Sequence, residues 1–133
     1  MKTTFKNLLR TFTPAAIALM SLAAASTAHA QSGDVAKGAA LFATHCSECH
    51  SVKEGKNKKG PSLFNIFGTK AAQREGFSYS DAMRAGQLTW NVETLSNYIA
   101  NPKKTVPGGK MKYDGLDNAA ECADLIAYLA LKK

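Results

Sequence analysis

Hydrophobic positions recur at helical spacing in three stretches of the chain. In the first, Val35, Gly38/Ala39, Phe42 and Cys46 fall on one face, with Leu41 beside them, which is the period of an amphipathic α-helix. Asp34 stands where its carboxylate can accept from the free N–H groups of the first turn. In the second, Val92, Leu95 and Tyr98/Ile99 share a face, opened by Thr89 or Asn91. It closes before Pro102, which cannot continue a helix and disfavours it in the preceding residue. The third runs through Ala119, Cys122, Leu125/Ile126 and Leu129 behind Asn118-Ala-Ala-Glu121, a capping-box-like start with Asn in place of Ser or Thr. A shorter helical turn is predicted from Ser80 as cap through Arg84, stopped by Gly86. No alternating run is long enough for a strand, and there is no internal repeat. The pattern predicts an all-α fold of three to five short helices with long connections.

Those connections are polar or turn-rich. Lys53 to Lys59 is a polar loop, and Gly60-Pro61 and Pro107-Gly108-Gly109 are turn signals. The stretch from Gly60 to Ser80 has little regular pattern, and a loop of about twenty residues is uncommon inside a compact domain. It is easier to understand if it wraps a bound group, which would also enlarge the limited core of a small domain.

Charge and composition matter chiefly at the N-terminus. Lys2, Lys6 and Arg10 precede an apolar run from Ala15 to Ala25, and Ala28-His29-Ala30 follows as a small-x-small site. This is the three-part pattern of a secretory signal peptide, and the run is too short for a membrane span. Residues 1–30 are therefore expected to be removed, leaving 31–133 as one domain exported to the periplasm. Removal lowers the formal charge from +7 to +4, too little to suggest a nucleic-acid partner. With 45% hydrophobic residues the chain is not wholly disordered, and three Cys cannot make a disulfide scaffold.

The residues that name the bound group are Cys46-Ser-Glu-Cys49-His50. Two thiols two residues apart, followed at once by His, suit covalent haem attachment through two thioethers, with His50 as an axial iron ligand. A zinc site needs about four ligands and a second Cys/His pair is missing. A thioredoxin-like pair wants a strand–turn–helix context, and a plain Cys46–Cys49 disulfide is the remaining alternative. The sixth iron position decides the chemistry. The candidates are Met83, Met111 and His45. His45 directly precedes Cys46 and cannot easily reach the opposite face. Met83 lies in a helical stretch and reads as apolar packing. Met111 follows Pro107-Gly108-Gly109-Lys110, a loop able to carry its thioether to the far side, and is the expected second axial ligand.

At this point the sequence resembles the class I cytochromes c of the mitochondrial and bacterial respiratory type, over Gly33 to Lys133. The carriers are Gly33-Asp-Val-Ala-Lys-Gly38, the Cys46–His50 motif, Gly60-Pro-Ser-Leu-Phe-Asn-Ile-Phe-Gly68, Gly76-Phe-Ser-Tyr-Ser-Asp-Ala82, Thr89-Trp90, Asn101-Pro-Lys-Lys104, Pro107-Gly-Gly-Lys-Met111 and Asp124-Leu-Ile-Ala-Tyr-Leu129. The resemblance implies three main helices plus short ones, with long loops wrapped around one covalently bound haem c. It implies that the Pro61 carbonyl takes the free N–H of His50, that Tyr79 and Trp90 donate to a haem propionate, and that Tyr98 lies beside the Met sulfur. It further implies that Gly38 and Phe42 cross the last helix at Leu125 and Tyr128. Cys122, left over once two thiols hold haem, is expected from its spacing with Leu125, Ile126 and Leu129 to be partly buried against the first helix as a small apolar residue, the alternative being an exposed thiol able to join two molecules.

Departures from the family pattern are specific. Thr69 stands where an Arg is usual, leaving one propionate less neutralised. Gly109 replaces a Thr of the Met loop, Met83 stands where relatives carry Asn, and Cys122 replaces an Arg. The implied function is a soluble periplasmic one-electron shuttle rather than an enzyme. Its partners would be a membrane quinol:cytochrome c reductase, a cytochrome c oxidase or other periplasmic redox proteins, met transiently as a monomer. Lys58, Lys59, Lys103, Lys104 and Lys110 are the implied docking face. The alternative is a small haem enzyme of peroxidase or nitrite reductase type, or a haem-based sensor, each of which needs an exchangeable distal ligand.

Overall fold

The computed structural model describes residues 33–133, and the expected leader, residues 1–30, lies outside them. The described chain is helical, with one isolated antiparallel bridge, Lys70 to Thr89, and no strand among the described residues. Helix α1 spans Val35–Leu41 and runs on into a wider π turn over Phe42–Cys46. Helices α2 (Asp81–Ala85), α3 (Val92–Ala100), α4 (Pro102–Thr105) and α5 (Ala119–Ala130) follow.

The caps explain where these helices begin. The Asp34 carboxylate accepts from the Ala36 and Lys37 amides, and Ser80 Oγ accepts from Met83. The reciprocal capping box falls on α3, where Asn91 accepts from Thr94 N–H and the Thr94 hydroxyl accepts from Asn91 N–H. At α5 the expected box is half present: Asn118 accepts from Ala120 and Glu121, and Glu121 returns no bond. Pro102 does stop α3, and it also starts α4, because its missing N–H is one of the donors a first turn leaves unpaired anyway.

The fold is organised by α1 crossing α5. An ideal Cβ on Gly38 would lie 2.0 Å from the Asp124 carbonyl oxygen and 2.8 Å from Tyr128 Cβ. The two backbones therefore touch where the side chain is absent. Phe42, one turn on, stands 5.5 Å from the Tyr128 ring, and the Asp34 amide donates to Asp124 Oδ1 at 2.6 Å. Leu125 and Leu129 are sealed beneath this crossing, each stabilising the fold by about 1.5–3 kcal/mol.

Two helix faces differ from the periodicity. Val92 is 61% exposed and Ala119 lies on the surface, because each sits at the first helical position, ahead of the turns that pack. Cys122 is buried as expected, but against α3 rather than α1, with Sγ 3.8 Å from the Ser96 carbonyl oxygen. Positions two apart on a helix point about 200° from one another. Asp124 and Tyr128 therefore face α1, while Cys122 and Ile126 are turned away from it.

Native oxidised protein is accordingly expected to stay monomeric on non-reducing gels and to be alkylated at Cys122 only on unfolding. A strong dimer band absent from Cys122→Ser would contradict the burial. Burial pushes the Cys122 thiol up from its ordinary value. The stability this contributes is present below the free thiol's pKa of about 8.5 and is lost as pH rises above it. Cys122→Ala should flatten that alkaline loss in a denaturant titration series.

The long Gly60–Ser80 connection is irregular but anchored. Gly68 and Trp90 share a bond of 2.7 Å, Trp90 N–H donates to the Thr69 carbonyl at 2.9 Å, and Ala71 N–H donates to Leu88 at 2.7 Å. The Arg74 guanidinium donates to the Phe64 carbonyl and to that of Asn65, which takes a left-handed φ of 45°. Ile66 and Ala71 turn inward to the core.

Candidate haem site

The turn that carries the Cys46–His50 motif begins where α1 widens. In the π turn, Ser47 N–H donates to the Phe42 carbonyl at 2.9 Å, and such a turn re-aims the side chains that follow it. Cys49 and His50 N–H groups both return to the Cys46 carbonyl, at 3.0 and 2.8 Å. This tight turn gathers Cys46, Cys49 and His50, all three part-buried. The two thiols are not joined to each other. Burial, reinforced by neighbouring Cys49, pushes the Cys46 thiol up to about 11. A thiol held neutral in apolar surroundings is a poor redox nucleophile, which counts against a thioredoxin-like pair.

His50 is held on two sides. Its Nδ1 lies 2.8 Å from the Pro61 carbonyl oxygen, so Nδ1 carries the proton and donates, and the Nε2 lone pair is left for a metal. Burial keeps the imidazole below its ordinary pKa, opposed by the Pro61 carbonyl and assisted by the Lys58 charge. The neutral ring is the ligating form. Gly60 closes the second side. An ideal Cβ there would meet His50 Cε1, Nδ1 and Nε2 at 2.3, 2.7 and 2.8 Å. Near-equal distances to three ring atoms mean that the Gly60 backbone lies against the face of the imidazole. Gly60 is itself pinned, donating to Cys49 O at 2.8 Å and accepting from Lys58 N–H at 2.9 Å. In the sequence Gly60 reads only as half of a turn; a small residue just before the Pro61 carbonyl, the expected acceptor for His50, was the available signal.

The other expected residues form separate groups. Trp90 and Tyr98 are buried together, ring centroids 5.2 Å apart. Tyr79 stands edge-on to Phe77 at 4.8 Å. Burial raises the phenols of Tyr79 and Tyr98, so both remain protonated donors at neutral pH. The Thr69 hydroxyl is committed to the Ile66 carbonyl at 2.6 Å. Met83 is core filler on α2, whereas Met111 is half-buried in the segment between α4 and α5.

The lysines are not equivalent. Lys59 pairs with Glu48 at 2.5 Å and Lys103 with Asp114 at 2.9 Å, while Lys58 donates to the Ser47 carbonyl at 2.5 Å. Among the described residues Lys104 and Lys110 make no ion pair.

The donor set fits haem c: two thiols on one turn, one imidazole with its second nitrogen already engaged, and a thioether on a distant loop. The comparisons agree. A family profile described as "Cytochrome c" matches residues 35–131. The chain is 50% identical over 98 residues to a cytochrome c of Gibberella zeae, covering 73% of this chain and 92% of that one. It is 46% identical over 103 residues to a cytochrome c of Chlamydomonas reinhardtii, covering 77% and 92%. It is 45% identical over 98 residues to one of Arabidopsis thaliana, covering 73% and 88%. These relatives are eukaryotic, and eukaryotic cells have no periplasm, so the periplasmic location expected from the leader is overturned. From the profile and these identities, the chain belongs to the cytochrome c family, haem electron carriers that hold haem c covalently.

Proposed function

We propose that residues 31–133 form a one-electron shuttle whose haem is held by Cys46 and Cys49 as thioethers and by His50 and Met111 as axial ligands. The observation that carries this reading is the His50 Nδ1 to Pro61 contact of 2.8 Å beside two part-buried thiols, an arrangement that leaves Nε2 as the only imidazole lone pair. When bound, the haem supplies the one-electron couple of its iron. The residues do the rest. The Pro61 carbonyl raises the basicity of His50 and fixes its tautomer. Met111 offers a soft, weakly donating sulfur, and the apolar surroundings disfavour added positive charge, so both favour the reduced state. Trp90 and Tyr79 offer N–H and O–H groups suited to a propionate, and Tyr98 packs beside Trp90 as part of the same wall. Gly60 and the anchored loop after it limit movement of His50, which keeps reorganisation small. Met111, as the sixth ligand, would leave no place for peroxide or nitrite, which separates this reading from a haem enzyme or a sensor.

The partners we propose are a membrane quinol-oxidising reductase as donor and an oxidase as acceptor, met one at a time by a monomer. Charges at the rim steer encounter more than they add affinity. With ionised propionates the net charge falls to about +2, so the local set must do the steering. Lys104 and Lys110, which carry no carboxylate partner among the described residues, are the strongest members, ahead of Lys58, Lys59 and Lys103.

The test is the second-order electron-transfer rate with an isolated oxidase against ionic strength. The rate should fall as salt rises, because screening acts over about 8–10 Å. Lys104→Glu should lower it more than Lys132→Glu, since Lys132 sits over the Tyr128 ring instead, 4.1 Å from its centroid. Lys103→Glu should fall between them. A flat salt profile, or equal effects from all three, would leave an apolar contact as the better account.

A further inference from the structure

The segment carrying Met111 is fastened at four points. Gly109 N–H donates to the Val106 carbonyl at 3.0 Å, Lys103 Nζ donates to Asp114 Oδ1 at 2.9 Å, and Leu116 N–H donates to the Ile99 carbonyl at 3.0 Å. All three bind the segment to its own neighbourhood, α3 and α4. The fourth is different. Tyr113 Oη lies 3.3 Å from His45 Nδ1, and the two rings meet edge-on with centroids 6.2 Å apart. His45 belongs to the π turn and directly precedes Cys46. Among the described residues this is the sole hydrogen bond between the segment 107–116 and the turn 42–50.

We propose that Tyr113 and His45 form a strap that holds the Met111 loop against the attachment turn, making both of them positioning residues for the sixth ligand. The proposal rests on the reading of Met111 as that ligand. Three features support it. The Tyr113 ring is half-buried and packed on the core, so its position is set before the hydroxyl bonds. The π turn fixes His45 through the Ser47 to Phe42 bond and so presents its ring to the incoming loop. The bond is also available in either charge state of His45: the phenol donates to a bare Nδ1 and accepts from a protonated one. A strap of this kind acts on how often the loop lifts, not on what the sulfur does once it is bound.

The experiment uses ferric holoprotein. Azide or imidazole binding is followed to saturating concentration, where the rate equals the rate of loop opening, and the weak near-infrared band of Met–iron bonding is recorded beforehand. Tyr113→Phe removes one oxygen and keeps the ring. It should keep the band and raise the limiting rate about two- to tenfold, the range one net hydrogen bond spans. His45→Ala should do the same, and the double variant should open no faster than either single. An unchanged rate in Tyr113→Phe, or independent multiplying effects in the double variant, would overturn the strap. A band that survives Met111→Ala would instead overturn the ligand assignment, whatever the strap variants do.

Discussion

Met111→Ala is expected to abolish the weak near-infrared band of the ferric protein, lower the reduction potential and open the iron to cyanide and azide. The loop between α4 and α5 offers no second sulfur, and Met83, the other methionine among the described residues, is locked in the core on α2. Removing a weak donor that favours the ferrous state should lower the potential by on the order of 0.1 V or more, within the ~0.8 V that axial ligands can cover. Met83→Ala is the matched control. It should keep the band and the potential, while destabilising the fold by about 2–5 kcal/mol as a large-to-small core change. Redox titration and the ferric spectrum of both variants separate the two outcomes. A band kept in Met111→Ala and lost in Met83→Ala would reverse the assignment.

Gly38→Ala is expected to lower the thermal midpoint steeply, against the direction that helix propensity predicts. Alanine inside a helix is favoured over glycine by roughly 1 kcal/mol. Here the added Cβ would lie 2.0 Å from the Asp124 carbonyl oxygen, a backbone atom held within α5 that cannot rotate away. Relief requires α1 and α5 to separate, which loosens Phe42 from Tyr128 and unseals Leu125 and Leu129. Overpacking costs typically 1–3 kcal/mol and sometimes more, and the upper part of that range applies because the contact is backbone on backbone. Set against the propensity gain, a net loss of about 2 kcal/mol remains, which would lower the midpoint by roughly 8–16 °C in a domain of this size. Calorimetry of the holoprotein measures it. A midpoint equal to or above that of the parent would mean that the helices part at little cost and that propensity decides.

Much of the architecture was legible in the chain because it depends on neighbours a few residues apart. The spacing of Cys46, Cys49 and His50 carries its meaning within five residues. Asp34, Ser80, Asn91 and Asn118 mark helix starts because a cap bonds to amides two or three residues ahead. Met83 reads as core and Met111 as loop because one sits in a helical period and the other follows Pro-Gly-Gly. The contact of Pro61 with His50, the crossing of α1 over α5 and the pairing of Phe42 with Tyr128 came from family resemblance, and the geometry agrees with each.

What the chain did not disclose depends on segments far apart in sequence. Periodicity gives a helix an apolar face but not its neighbour, so Cys122 was expected on α1 and packs on α3. It also does not say where packing stops, so Val92 and Ala119 extend apolar faces into solvent. A π turn is invisible to a count of helical steps, yet it aims His45 at a tyrosine 68 positions away. Gly60 looks like any turn glycine until the His50 ring is laid against it. The sequence alone therefore determined where the main helices start and that the chain carries a covalent-haem motif, both of which are written in local spacing. Only the tertiary structure decided which backbone lies against the His50 ring and which side chain of the segment 107–116 meets the π turn. Those contacts exist only after distant stretches have been brought together by the burial of Phe42, Leu125 and Leu129.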